Sequence, residues 1–404
     1  MPLSRFLPGA SSRAPSRFAL SLSAALACLL LSACSSTPPA EAPPLAAPVS
    51  VEPASSPTAE VQARAIEPAS LITAAPLLGN PAPDSYAFRE DAKRLAIELA
   101  RSMTLDPQWV WDALSKAKVK DTAAKLMMPP PAGTPKNWAA YRSRFIEPQR
   151  IRAGAQFWRT YEPELQRAEN QYGVPAAIIA GVIGVETIYG RNMGGFRVLD
   201  ALATLSLDFP KGRSDRSPFF QAELGQFLRL CFEQQIEPDS VLGSYAGAIG
   251  LPQFMPSSIR RYAVDFDGDG RIDLIGSAPD AIGSVAHFLS EHGWQTGQPV
   301  YFDIAPPTET AARAKLLAPD IVPSFLPQEM MDMGATLPPA AQNHPGKLAL
   351  VLLQNGQDAP TLIAGTQNFY AITRYNQSSY YALAVTQLGE ALLKEVFRQN
   401  GLNP

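Results

Sequence analysis

The sequence predicts a mainly α fold of the α+β class, a helical body carrying a small β insertion. Three observations predict it. Apolar residues recur at helical spacing from about residue 83 to 298. From Pro299 the pattern changes to short runs of β-branched and aromatic residues with prolines between them. The last segment, "YALAVTQLGEALLKEVFRQ" at about residues 379–399, returns to helical spacing. The chain has 404 residues, 46% hydrophobic and 18% charged, which is enough for a substantial core. A net charge of −3 argues against nucleic acid or an anionic membrane surface as the main partner, since both favour basic patches. No internal repeat is visible.

The chain opens on a targeting segment. Arg5, Arg13 and Arg17 precede "FALSLSAALACLLLSAC", which is short of the roughly 20 apolar residues of a membrane span. It ends in "LSAC", residues 31–34, which resembles the lipobox of bacterial lipoproteins. The resemblance implies that residues 1–33 are a signal peptide and that Cys34 becomes the diacylated first residue. An ordinary signal peptide with an incidental cysteine is the alternative. Loss of residues 1–33 removes three arginines and no acids, so the charge moves from −3 to −6. Ser35 follows Cys34 in place of the aspartate that often signals inner-membrane retention. The expected address is therefore the periplasmic face of the outer membrane of a Gram-negative cell, anchored through lipid on Cys34. Once Cys28 leaves and Cys34 is acylated, Cys231 is alone and no intrachain disulfide can form. Cys231 lies in an amphipathic helical pattern and reads as core packing.

Residues 34–82 are rich in Pro, Ala and Ser and show no apolar period, which predicts a disordered tether. Such a coil spans roughly 35–40 Å, and more with polyproline character. Residues 83–404 are the folded unit. "YAFREDAKRLAIELARS" and "DPQWVWDALSKAKV" read as amphipathic helices, the second with Asp106 as N-cap and Pro107 at its first position. "KNWAAYRSRF" and "IRAGAQFWRTYEPELQRAENQYG" continue the helical pattern up to a C-capping Gly173. "SPFFQAELGQFLRLCFEQQ" and "APDAIGSVAHFLSEHGW" are also helical in period. Within the insertion, about residues 299–372, "PVYFDI", "KLALVLLQ" and "PTLIAGTQNFYAITRY" read as strands joined by Pro-rich loops.

The helix "VPAAIIAGVIGVETIYG" carries one acid, Glu186. Its run from Ala176 to Val185 has no charge, so the helix is expected to be buried on all sides. Burial and the negative end of the helix dipole would both raise the Glu186 pKa, which suits a general acid near neutral pH. A buried glutamate paired with Arg191 or Arg197 is the structural alternative. A second signal is "SYAGAIGLPQFMPSS", in which small residues permit close backbone approach and Gln253 stands in an apolar stretch. A tight turn under a helix would look the same.

A third signal is "DFDGDGRIDLIGSAPD". It sets Asp265, Asp267 and Asp269 at positions 1, 3 and 5 of an EF-hand-like loop and Gly270 at position 6. The Arg271 carbonyl falls at position 7 and Asp273 at position 9. Position 12 is Gly276 in place of the bidentate glutamate, and Asp280 could close the loop later. An acidic turn surrounded by water is the alternative to a structural Ca²⁺ site.

Four segments together carry a wider resemblance. "GVETIYGRNMGGFRVLDALATLSLDFP", "GSYAGAIGLPQFMPSSIRRYAVDFDGDG", "DAIGSVAHFLSEHGW" and "NFYAITRYNQSSYYALAV" are similar to the membrane-bound lytic murein transglycosylases of the B family, glycoside hydrolase family 103. The resemblance covers nearly all of the chain after the tether. It implies a lysozyme-like core that cleaves the bond between N-acetylmuramic acid and N-acetylglucosamine in peptidoglycan strands, with no cofactor for catalysis. It implies that Glu186 serves first as acid and then as base, closing a 1,6-anhydro ring on the muramyl sugar. It implies substrate-lining roles for Ser244, Gln253, Tyr141, Tyr375, Asn376 and Tyr381, and it supports a metal at the acidic loop. Two departures stand out. His287 and Phe288 occupy a place where some members have a tyrosine. "FPKGRSDRSPFF" is longer than the family's arginine pair, leaving Arg213 and Arg216 both as candidates. A catalytically silent peptidoglycan-binding lipoprotein on the same fold is the competing reading, and the presence of Glu186 separates the two.

Overall fold

The computed structural model describes residues 84–401 apart from 130 and 132. The signal segment, Cys34 and the tether therefore lie outside the described residues. After a 3₁₀ turn at Tyr86–Phe88 come α1 (Glu90–Met103), α2 (Pro107–Ser115), α3 (Asp121–Leu126), α4 (Trp138–Arg142), α5 (Pro148–Thr160) and α6 (Glu162–Tyr172). Local chemistry sets their ends. Asp106 accepts from the Trp109 N–H ahead of Pro107, and Gly173 closes α6 in the left-handed conformation at φ 70°.

The central helix α7 (Ala176–Thr187) is followed by β1 (Phe196–Arg197), α8 (Val198–Leu207), α9 (Ser217–Gln234) and β2 (Leu242–Gly243). β1 and β2 pair antiparallel, Phe196 opposite Gly243. Then follow α10 (Pro256–Tyr262) and α11 (Ala278–Glu291). Cys231 is buried in α9, and burial pushes its thiol up to about 12, so it packs and does not react.

The insertion holds a three-stranded antiparallel sheet in the order β3 (Tyr301–Asp303), β5 (Asp358–Gly365), β4 (Ala349–Asn355). The β4–β5 hairpin turns at Gly356, which takes φ 65° as such a turn requires. The strand pleat divides the core. Ala349, Val351 and Leu353 join the main helical core, while Leu348 and Leu350 face a small separate cluster with Leu316, Met330 and Leu337.

Two sequence expectations are corrected here. The Pro-rich stretches between strands are not all loops: they contain α12 (Thr310–Leu317), α13 (Pro327–Asp332) and α14 (Pro339–Gln342). In α13 and α14 proline sits in the first turn, where its missing N–H costs nothing. The run "QNFYAITRY" is not strand but helix α15 (Gln367–Tyr375). Thr366 caps it by accepting from the Asn368 N–H, and Asn368, Phe369, Ala371 and Ile372 bury one face. The final helix is α16 (Ser379–Gln399).

The pairing of α7 with α16 positions the chemistry. The two helices run antiparallel, and glycines let their backbones nearly touch. A Cβ on Gly181 would lie 2.5 Å from the Val385 carbonyl, and one on Gly389 would overlap the Ala177 carbonyl. Ala177 opposite Gly389 and Gly181 opposite Val385 fix the register. One turn further along, the same register sets Tyr381 against Glu186.

Candidate active site

Glu186 is in the last turn of α7 and is 8% exposed. The Tyr381 hydroxyl donates to its Oε1 at 2.6 Å. Burial pushes the Glu186 carboxyl up to about 7, and the Tyr381 hydrogen bond partly offsets that rise. Neither cause is another carboxylate. The arginine pairing left open by the sequence does not occur: Arg197 instead sits 3.5 Å from Asp200 and 3.7 Å from Asp239. Arg191 is exposed.

Tyrosines surround the acid. Burial, and after it the nearby Glu186 charge, raises Tyr141, Tyr375 and Tyr381 above the ordinary phenol value. All three therefore remain neutral donors. Tyr375 and Tyr381 stack with ring centroids 6.2 Å apart, and the Tyr375 hydroxyl donates to the Pro252 carbonyl at 2.5 Å. Tyr141 comes from α4, held by Phe145 at 4.9 Å and Tyr380 at 5.8 Å. Asn376 follows Tyr375 at the end of α15, and its Oδ1 is buried without a hydrogen-bond partner. An acceptor in that state is a place for a ligand N–H or O–H.

The glycine-rich turn lies across the end of α7. Thr187 is the link, a residue the sequence reading passed over although it adjoins the acid. Its Oγ1 donates to the Leu251 carbonyl at 2.9 Å and accepts from the Gly190 N–H at 3.0 Å. Gln253 takes φ 51°, a strained value for a non-glycine residue, and its Nε2 donates to the Gly250 and Met193 carbonyls at 2.8 and 3.1 Å. Ser244 spends its hydroxyl on its own turn, accepting from the Ala248 N–H at 3.0 Å and the Ala246 N–H at 3.3 Å. Gly194 packs directly on the Gly243–Ser244 backbone and ties that turn to the loop after α7.

The two departures noted in the sequence have clear surroundings. Phe288 packs on Tyr375 at 4.8 Å, so an apolar ring meets this part of the cleft. His287 faces away, its Nδ1 2.8 Å from the Tyr262 carbonyl. Arg213 donates to the Met127 carbonyl, and Arg216 lies over Phe219 at 4.6 Å.

At the acidic loop, Asp265, Asp267 and Asp280 bring carboxylate oxygens within 4.8 Å of one another. Asp280 is 1% exposed, and burial pushes its carboxyl up. It accepts from the Phe266 N–H at 2.7 Å and the Asp273 N–H at 2.8 Å, closing the loop from beyond position 12. Asp269 is not in this cluster: its carboxylate is 2.8 Å from the Arg271 N–H. The donor set is all hard oxygen, which fits Ca²⁺. The loop also touches the cleft turn, since the Leu251 N–H donates to the Leu274 carbonyl at 2.8 Å.

A buried lone acid between two helices, with a small sheet alongside, is the arrangement of the lysozyme-like lytic transglycosylases. Residues 87–390 match the family described as Transglycosylase SLT domain, and the chain belongs to that family of peptidoglycan-cleaving enzymes. Membrane-bound lytic murein transglycosylase B of Escherichia coli (strain K12) is 40% identical over 319 residues, covering 76% of this chain and 84% of that protein. The crystal structure of soluble lytic transglycosylase SltB1 from Pseudomonas aeruginosa is 39% identical with a TM-score of 0.68, covering 77% of this chain and 99% of that one. The Escherichia coli lytic transglycosylase Slt35 in complex with calcium is also 39% identical, with a TM-score of 0.66, over 77% of this chain and 95% of that one. This protein is thus a lytic murein transglycosylase.

Proposed function

We propose that the enzyme cleaves the β-1,4 bond between N-acetylmuramic acid and N-acetylglucosamine with Glu186 as its one acid and base. The observation that carries this reading is the buried Glu186 carboxyl at about 7, perturbed by burial and Tyr381 and by no second acid. Protonated Glu186 gives its proton to the glycosidic oxygen as the C1–O bond breaks. The resulting carboxylate takes the proton of the muramyl 6-hydroxyl as O6 bonds to C1. Atoms balance without water, and Glu186 ends protonated again. With no nucleophilic carboxylate, the oxocarbenium must be stabilised by the substrate's acetamido group and by neutral dipoles. Tyr381 holds the acid. Tyr375, Tyr141, Asn376, Gln253 and Ser244 line the sugar site, rings against pyranose faces and amides toward hydroxyls. Digestion of purified sacculi followed by mass spectrometry tests the reading. Muropeptides ending in 1,6-anhydromuramic acid are expected. Reducing-end muramic acid would contradict the mechanism, and no release would favour the silent glycan-binding alternative.

Asp265, Asp267 and Asp280 would hold a structural Ca²⁺, with Asp269 and the Arg271 carbonyl joining if the Asp269 carboxylate leaves its N–H partner. The ion would neutralise clustered carboxylates and take no proton. A ligand that binds only the folded form stabilises it by about 2.7 kcal/mol at a hundredfold excess over Kd. Calcium is therefore expected to raise the melting temperature of the parent and not of Asp265→Ala. A calcium effect that survives Asp265→Ala rejects this loop as the site.

The proposed location is the periplasmic face of the outer membrane, with lipid on Cys34. Among the described residues no helix is long and apolar enough to cross a membrane. Membrane fractionation of Cys34→Ala is expected to move the protein to the soluble fraction or leave it unprocessed. A variant that still fractionates like the parent argues against acylation.

A further inference from the structure

A second depression, of about 260 Å³, is lined by Gln253 and by Tyr375, the ring that also feels the Glu186 charge. Its apolar wall is Phe254 and Phe288, each packed on Tyr375 at 5.5 and 4.8 Å. Two arginines also line it, Arg261 from α10 and Arg374 from the end of α15, while no carboxylate does. Neither arginine has an ion pair among the described residues. Arg374 is the sharper case. Its Nε is buried with no hydrogen-bond partner, and its Nη2 reaches only the Thr373 hydroxyl at 3.3 Å. Its guanidinium rests over the Tyr370 ring at 4.2 Å, which fixes its plane. A guanidinium is always charged and presents five donors, so an unpaired buried N–H is an invitation to an acceptor.

His292 and Ser257, among the pocket's other polar groups, are already engaged. His292 has Nδ1 at 2.6 Å from the Phe288 carbonyl and Nε2 at 3.5 Å from the Tyr262 hydroxyl. Ser257 gives its hydroxyl to Glu223 at 2.6 Å, and its N–H goes to the other Glu223 oxygen at 2.9 Å. The pocket thus offers two unneutralised guanidinium groups beside an apolar wall, next to the cleft. That combination recognises a planar anion carried on a partly apolar arm.

We propose that this pocket binds a carboxylate of the stem peptide borne by the glycan, with Arg261 and Arg374 as its anchors. The proposal rests on the reading of the Glu186 cleft as the peptidoglycan site. The sugar ring backbone is uncharged, so the peptide carboxylates are the groups that two free cations can select.

Calorimetry in a Glu186→Gln background, where the ligand survives, tests it. Two ligands are compared: a peptide-bearing glycan fragment, and the same fragment with its carboxylates amidated. The free-carboxylate form is expected to bind about tenfold more tightly, the scale of a charge-assisted bidentate contact that is partly open to solvent. In Arg261→Gln/Arg374→Gln the ratio is expected to fall to about one. Arg261→Gln alone, on an exposed side chain that the fold does not need, is expected to lower the ratio part way. Equal binding of the two fragments by the arginine-intact protein overturns the pocket proposal while leaving the cleft reading intact. A ratio that persists in both arginine variants also overturns it. Binding of neither fragment overturns the cleft reading, and the pocket proposal with it.

Discussion

Glu186→Gln is expected to reduce turnover on peptidoglycan by about 10³-fold or more while leaving the protein folded and more stable at neutral pH. Glutamine keeps the shape and can still accept from Tyr381, but it can neither give the proton to the glycosidic oxygen nor take one from the 6-hydroxyl. General acid–base groups contribute about 10²- to 10⁴-fold, and here one residue serves both steps. The stability gain follows from burial. The carboxyl rises from an ordinary 4.5 to about 7 in the folded protein. Below pH 4.5 it is protonated in both folded and unfolded chains, so it carries no penalty. Between 4.5 and 7 the unfolded chain releases its proton and the folded chain keeps it, so folding loses stability as pH rises. Above 7 the loss is complete, on the order of 3 kcal/mol for a shift of this size. Glutamine has no such loss. Denaturation of parent and variant at pH 4 and pH 8 checks this: the difference should be near zero at pH 4 and favour the variant at pH 8. A difference independent of pH would show that Glu186 is not held protonated by its surroundings.

Gly181→Ala is expected to destabilise the fold by about 3 kcal/mol and to lower turnover as well. The added methyl would stand 2.5 Å from the Val385 carbonyl, a backbone atom that cannot rotate away. Overpacking of this kind costs about 1–3 kcal/mol, and the upper end applies because backbone must move. The displaced partner is α16, which carries Tyr381 one turn beyond the contact. A shift near 1 Å at the acid can cost as much as about a hundredfold in rate. A fall of at least about tenfold, measured well below the melting temperature, is therefore expected. Gly195→Ala is the control, since a Cβ there meets nothing within 4 Å. Retained activity in folded Gly181→Ala would show that the α7–α16 spacing does not set the Glu186–Tyr381 geometry.

The features written in one continuous segment were legible in the sequence. An uncharged run ending in one acid announced α7 and Glu186, because no surface helix can be apolar on every side. Asp106 with Pro107 and Gly173 marked their helix ends because capping is local chemistry. What was missed depends on contacts between distant segments. "TLIAGTQNFYAITRY" looks continuous in β-branched and aromatic residues, yet Thr366 starts a helix whose buried face is set by the core beside it. Prolines suggested loops where they open helices. Thr187 reads as an ordinary neighbour of the acid until Leu251, 64 residues away, supplies its acceptor. Nothing in the sequence marks Arg374, whose unpaired Nε becomes visible only once α10 and α15 meet around one pocket. At the acidic loop the spacing pointed to Asp265, Asp267 and Asp280 together with Asp269, whereas the last is turned toward the Arg271 N–H.

The central claim is that one carboxyl, kept protonated by burial, cleaves the glycan without water. Digestion of sacculi in oxygen-18 water tests it most directly. The account predicts released muropeptides whose new muramyl ends carry no label, because O6 of the same sugar closes on C1. Incorporation of one labelled oxygen at C1 would contradict it, since that oxygen can come only from water.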